Sequence, residues 1–293
     1  MQPTADIALL TVRRIEQRLG KPLEIPPLSL TAQKILQLRA NPDTHIDELT
    51  AVIETDPALA AQVMSWAASP LYAAPCKICS IEDAITRVLG FDLVMNLALG
   101  LALGKKFSLP HTFRQDNIDY WKNALYSATL IEGLVRQMPA ATRPEAGLAY
   151  LAGLLHNFGY LLLAQLFPSY FSLIQQYQTD HPEARTQQAD QHLLGITREE
   201  ICTSLMQIWG MPDELVVAVG QQNSLDYNDE HATYARLVQL AALLLTAADS
   251  ADPEQLDALC QSLQLKPEQA RQALDKVLAA EQALRSLSEQ MSH

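Results

Sequence analysis

The stretch Leu148–Phe167 is the most apolar in the chain, and its one central polar interruption is the adjacent pair His156 and Asn157. Arg143-Pro144 precedes it and Pro168 follows, so the pattern predicts a single helix, apolar on every side, at the centre of a bundle. A membrane span needs about 20 mostly apolar residues, and Gly153, His156, Asn157 and Gly159 interrupt this stretch too often for one. Such a helix requires other apolar helices around it. It also requires partners for two polar side chains, because burying an unpaired imidazole or amide costs about 1–3 kcal/mol. Those partners are either neighbouring core groups, which would make the pair structural, or a metal ion.

The rest of the sequence can supply the wrapping. Ala, Leu and Gln abound and apolar residues recur at three- and four-residue spacing, while 11 glycines and 6% aromatic residues leave little material for strands and hairpins. The expectation is an all-α fold. The 293 residues are 48% hydrophobic and 18% charged, enough for one large core or two smaller ones, and two packed helical subdomains are expected. A formal charge of −12 opposes binding to nucleic acid or an anionic membrane surface, and no Lys/Arg run offsets it. Met1-Gln-Pro-Thr-Ala-Asp6 lacks the basic and apolar regions of a secretory signal, which makes the cytoplasm the expected location and free thiols the expected state of the cysteines. Cys76 and Cys79 form a lone Cys-x-x-Cys, a weak zinc or redox signal without a second pair, a nearby His or a preceding strand.

In chain order, a first helix is expected from about Thr4 to Arg18, stopped by Gly20 and Pro22, followed by an extended Leu23–Leu28 containing Pro26 and Pro27. Helical patterns follow at about 29–40, 44–54 and 56–67, the last opened by Asp56 as N-cap and Pro57 at the first helical position. After an irregular loop at 68–79, Ser80-Ile-Glu-Asp83 resembles a capping box and launches a helix that stops at Gly90, and another runs from Phe91 to Leu103. Gly104–Pro110 reads as a joint. Beyond it lie a long helix over about 117–137, the central helix, and helices near 168–178, 182–193, 197–208, 212–222 and 230–248. Pro253 and Pro267 each begin one of two last helices, and the final one carries a thin stripe of Leu274, Val277, Leu278, Leu284 and Leu287. The expected organisation is thus an N-terminal helix (1–21), an N-terminal helical subdomain (22–109), a second subdomain (110–250) and a helical extension (251–293).

Particular residues carry a family likeness over roughly 22–245. They are Ile25-Pro26-Pro27-Leu28, Asp56-Pro57-Ala-Leu59, Ser69-Pro-Leu-Tyr72, Ala84-Ile85 with Leu89-Gly90, Trp121-Lys-Asn123, Gly153-Leu-Leu-His156-Asn157-Phe-Gly159 and Trp209-Gly-Met-Pro212. In combination they resemble the HDOD domain, the HD-related output domain of bacterial signalling proteins. The resemblance implies that residues 110–250 form a helical core like that of the HD phosphohydrolases, whose central helix carries a His-Asp pair holding a divalent ion. At the matching positions this chain has other residues. The first-helix His position is Asn123, the paired Asp is Asn157, a later His position falls at Arg198 with His192 as the alternative, and a double His is replaced by Gln221 and Gln222. Only His156 remains of the set, and one imidazole cannot supply the three or more protein ligands of a catalytic metal.

The expected function is therefore a non-catalytic signalling module that needs no cofactor and acts by protein–protein contact. Its partners would be a kinase, a response regulator or a transcription factor, or a second copy of the chain, and the 251–293 stripe is the preferred contact surface. The alternative is a degenerate hydrolase or sensor that keeps a nucleotide-like ligand in the former cleft. A third reading is thiol redox sensing by Cys76 and Cys79. In the first reading Asn123, His156, Asn157 and Gln221 or Gln222 are expected to hydrogen-bond among themselves.

Overall fold

The computed structural model describes Arg13, Glu16 and residues 24–72, 77–107, 109, 114–246 and 252–292, and every regular element among them is helical. Apart from Arg13 and Glu16, the expected first helix from about Thr4 to Arg18 lies outside the described residues, as does Cys76 of the cysteine pair.

The N-terminal helices begin where their caps place them. Helix α1 (Leu30–Ala40) starts after Ser29, whose hydroxyl accepts from Ala32 N. Helix α2 (Ile46–Glu54) leads to α3 (Pro57–Ala67), where Asp56 Oδ1 accepts from the backbone N–H groups of Ala58 and Leu59, satisfying two of the donors a helix start leaves free. In the Ser80 start, Ser80 Oγ accepts from Asp83 N, but the shorter Asp83 carboxylate reaches Cys79 N–H rather than closing the box on Ser80. The short α4 (Ile81–Ala84) continues as a π-helical turn, Ile85–Leu89, and stops at Gly90, whose φ of 84° favours glycine.

Helix α5 (Phe91–Lys106) extends into the start of the expected joint, so Gly104 is helical and packs under the Trp121 ring. After α6 (Arg114–Gln137) comes the central stretch, which is two helices rather than one: α7 (Ala146–Leu155) and α8 (Phe158–Leu166), bent by 42° across His156 and Asn157. Every residue from Gly147 to Leu155 is buried, because α5, α6 and two later helices surround α7. Taken together α7 and α8 have the length and apolarity of a broken membrane span, yet they form the middle of this bundle. Among the described residues no single helix is long and apolar enough to cross a membrane.

The remaining helices are α9 (Pro168–Asp180), α10 (Thr186–Leu193), α11 (Arg198–Ile208), α12 (Asp213–Gly220) and α13 (Ala232–Leu245). Helices α12 and α13 complete the wrapping of α7, and α11 packs along α8. The turn between α11 and α12 uses Gly210 at φ 68°, with Met211 N donating to Met206 O, and Trp209 Nε1 donates to Pro26 O at 3.1 Å, tying the extended segment to the bundle.

Three helices, not two, close the chain: α14 (Pro253–Ser262), α15 (Pro267–Ala279) and α16 (Glu281–Met291). The extra break at Ala280 has no proline or glycine to announce it. Both α15 and α16 lie on α6, and α16 also reaches α3 and α5, so Val277, Leu284 and Leu287 of the thin stripe are buried in the body while Leu278 stays exposed. The stripe expected to meet a partner is largely used within the molecule. One continuous apolar core runs from Leu28 to Leu287.

Candidate functional site

The bend at the centre of the molecule is produced by side chains entering the helical hydrogen-bond ladder. Asn157 has φ −107° and ψ 17°, and its carbonyl accepts from Tyr160 N in a tight i→i+3 contact. The carbonyl of His156, the usual partner of Tyr160 N, instead receives Gln222 Nε2 from the end of α12 at 2.8 Å. The Gln222 amide also donates to Val219 O, and the His156 ring places Nδ1 2.7 Å from Gly153 O. A carbonyl accepts only, so Nδ1 carries the proton and Nε2 the lone pair. Burial disfavours imidazolium and lowers the pKa of His156, against a smaller opposing effect from the Gly153 bond.

Two glycines permit the close packing. A Cβ on Gly153 would stand 2.7 Å from Cα of Ala128 in α6, and one on Gly159 would stand 2.9 Å from the carbonyl carbon of Arg198 in α11. Arg198 is nearly fully buried. Its Nε and Nη2 donate to the two oxygens of Asp190 at 2.7 and 2.8 Å, its backbone N–H also reaches Asp190, and its guanidinium lies 5.6 Å from the Tyr160 ring centre.

The expected polar network does not form among the described residues. Asn123 is exposed on α6, Asn157 occupies the bend, Arg198 is paired with Asp190, and Gln222 meets His156 only at its main chain. Gln221 enters through its carbonyl, which accepts from Gln239 Nε2. The reason is local. A broken helix exposes carbonyls inside the core, and these satisfy the amide and imidazole donors that were expected to pair with one another. His192 is exposed and lies 5.4 Å from the Tyr177 ring, away from this set.

The donor set does not fit a hard divalent ion. One imidazole, four neutral amides and a guanidinium offer no carboxylate, and among the described residues no three His, Cys, Asp or Glu side chains converge. Glu199, which was not singled out in the sequence, is the exception worth locating. Its Oε1 accepts from Asn223 Nδ2 at 3.3 Å, Oε2 is buried without a hydrogen-bond partner, and burial raises its pKa. As an acid in the first turn of a helix it reads as an ordinary dipole partner, which is why the sequence conceals it. The buried Cys202 lies beside it, and Tyr120, also within electrostatic reach of Cys202, has a buried hydroxyl without a hydrogen-bond partner.

Comparison with known proteins gives consistent matches. The family model described as the HDOD domain matches residues 25–225. A curated protein of Treponema pallidum (strain Nichols), named only as uncharacterized, is 23% identical over 221 residues, which are 75% of this chain and 41% of that protein. Among solved structures, a protein of Marinobacter aquaeolei VT8 named provisionally for signal transduction is 40% identical with a TM-score of 0.82, covering 99% of this chain and 66% of that one. An HDOD domain protein of unknown function from Geobacter sulfurreducens is 19% identical with a TM-score of 0.74, over 95% of this chain and 99% of its own. A Shewanella amazonensis SB2B protein named provisionally as a phosphohydrolase shares the fold, at 21% identity and a TM-score of 0.73, over 96% and 97% of the two chains.

Proposed function

The chain belongs to the HDOD-domain family, and on that premise we propose that it is a non-catalytic signalling module that works by binding other proteins. The observation that carries the reading is the state of His156. The single imidazole left at the family's metal position has one nitrogen committed to Gly153 O, an amide rather than a carboxylate beside it, and a buried Arg198–Asp190 pair in place of a further ligand. A guanidinium is a permanent cation and repels the ion that a ligand there would attract. What the site does well is fix the angle between α7 and α8, which suits a rigid platform for contact. The provisional naming of the 40% identical Marinobacter protein for signal transduction agrees with this use.

Two measurements test it. With Mn²⁺, Mg²⁺ or Fe²⁺ supplied, the chain should not cleave bis(p-nitrophenyl) phosphate, and a rate that His156→Ala abolishes would sink the proposal. Affinity capture of the tagged full chain from its own cells should enrich a kinase, response regulator or transcription factor. Recovery of none would remove the interaction half.

A second reading, a sensor that keeps a nucleotide-like ligand in the former cleft, has one observation in its favour: the unpartnered buried oxygens of Glu199 and Tyr120 near Cys202. It requires thermal stabilisation by some nucleotide at concentrations well above its Kd. A flat melting temperature across a nucleotide and second-messenger panel rules it out.

A further inference from the structure

Helix α9 packs chiefly on its chain neighbours α8 and α10, which leaves one side of it uncovered. Tyr170, Leu173 and Tyr177, spaced three and four residues apart, share that side. Leu173 is 51% exposed, and both tyrosines are partly exposed. The Tyr177 ring is held in place by two imidazoles, His181 stacked at 4.3 Å and His192 at 5.4 Å. Fixed tyrosine rings around an aliphatic centre have the composition of a protein contact rather than of ordinary surface.

The charge pattern narrows what can cover this face. Between Glu145 and Asp180 the chain has no Asp, Glu, Lys or Arg, and because α7 and α8 are largely buried, α9 is where that run meets solvent. The formal charge of the whole chain is −12. A basic partner would be drawn to the carboxylates elsewhere and would gain nothing from α9. A second copy is repelled by those same carboxylates and can approach only where there are none. The ends of α9 add a direction. No side chain caps its start and its first turn holds no acid, while the exposed Asp180 sits at its last position, on the negative end of its own dipole. An antiparallel neighbour of the same kind would bring each Asp180 to the other helix's uncapped start.

We propose that the outer face of α9 is a self-association surface, on which a second copy of this chain packs antiparallel about a two-fold axis beside Leu173. A two-fold contact sets each residue near the axis against its own kind, which suits a neutral face and excludes a charged one. Leu173 lies near the middle of α9, so Tyr170 of one copy meets Tyr177 of the other, and the exposed Gln176, whose amide both donates and accepts, can pair with its counterpart. The 13 residues of α9 make a face about 20 Å long. Two such faces bury less than the roughly 1,600 Å² of a standard interface, so the dimer is weak, with a Kd in the micromolar range or above, and the dilute chain is a monomer. Self-association needs no other partner, so its absence and the absence of a captured signalling protein are separate results.

Sedimentation equilibrium of the full chain over a wide concentration range, up to about 1 mM, tests this, with circular dichroism and melting curves to establish that each variant is folded. The chain should fit a monomer–dimer equilibrium. Leu173→Asp, at an exposed position, should weaken the dimer by roughly tenfold or more, because it sets two like charges at the axis. Leu278→Asp, at the exposed leucine of α15, should leave it unchanged. Asp180→Lys separates the proposed contact from general charge effects. It lowers the net negative charge and favours the helix's own dipole, so it should raise the melting temperature of the monomer, yet it should weaken the dimer about two- to fivefold by placing a cation at the other copy's helix start. A chain that stays monomeric throughout, a dimer indifferent to Leu173→Asp, a dimer that Leu278→Asp dissolves, or one that Asp180→Lys tightens would overturn the proposal. So would a monomer from which Leu173→Asp removes a captured foreign protein, since the face would then belong to that protein.

Discussion

At the level of single residues the molecule depends on a few buried polar contacts, and Arg198 with Asp190 is the most consequential. Removing one partner leaves an unpaired charge in the core, so Arg198→Ala should destabilise the fold by about 3–5 kcal/mol in urea melts. Replacing both together, as in Arg198→Met with Asp190→Leu, should recover most of that loss, because the pair's attraction is largely offset by desolvation. A loss in the double variant as large as in the single one would mean that the pair positions the bundle as well as neutralising itself. His156 makes a separate prediction in pH. Its folded pKa lies below the ordinary 6.5, so below that value the unfolded chain binds the proton more readily than the folded one. Stability should therefore fall as pH drops through about 6.5 and below, by up to about 1.4 kcal/mol per pH unit from this group. His156→Gln should lessen the slope, and identical slopes in the two proteins would show that the imidazole is not held neutral. The residue types at this site were legible in the sequence. Their partners were not, since the carbonyls that receive His156 and Gln222 exist only because the helix breaks, and Glu199 resembles any acid at a helix start.

Among the elements, what could be read from sequence depended on local chemistry. Asp56-Pro57, Ser80 and Gly90 mark their helix ends with a cap, a hydroxyl and a positive φ, and the structure places those ends there. The breaks at His156–Asn157 and at Ala280 have no such mark, because each is set by packing against distant segments, and both were read as continuous helix. Glycine position illustrates the same division. Gly159 and Gly133 look alike in sequence, yet only at Gly159 would a Cβ meet the backbone of a neighbouring helix, that of Arg198. Gly159→Ala should force α8 and α11 apart and cost about 1–3 kcal/mol or more. Gly133→Ala places its Cβ in ordinary contact at 3.4 Å from that of Ala273, and should leave stability unchanged or raise it by up to about 1 kcal/mol through helix propensity. Denaturant midpoints of the two variants check the contrast. Equal midpoints would show that α8 and α11 can separate at little cost.

The whole molecule is organised around α7, but the C-terminal helices complete it. Ala273, Val277, Leu284 and Leu287 are each at most 4% exposed, and the helices that carry them lie on α6. In the other direction Arg39 of α1 donates to Asn96 of α5 at 2.9 Å and to Glu145 at the start of α7 at 3.0 Å, so the N-terminal helices are held to the same centre. Removal of residues from about 250 onward would therefore uncover an apolar face of α6 as well as delete a candidate contact surface. Each large apolar side chain returned to water costs about 1.5–3 kcal/mol, and losing several of them approaches the 5–15 kcal/mol that holds a typical domain together. A chain ending near residue 250 should then unfold at markedly lower denaturant, or associate through the bared face as its concentration rises. Light scattering and urea melts read both. For this reason loss of a partner on truncation would not locate the contact, whereas a substitution at the exposed Leu278 removes surface without removing core. If the shortened chain instead melts like the full one and stays monomeric, α14–α16 are a detachable arm, and their packing on α6 is itself available for exchange with a partner.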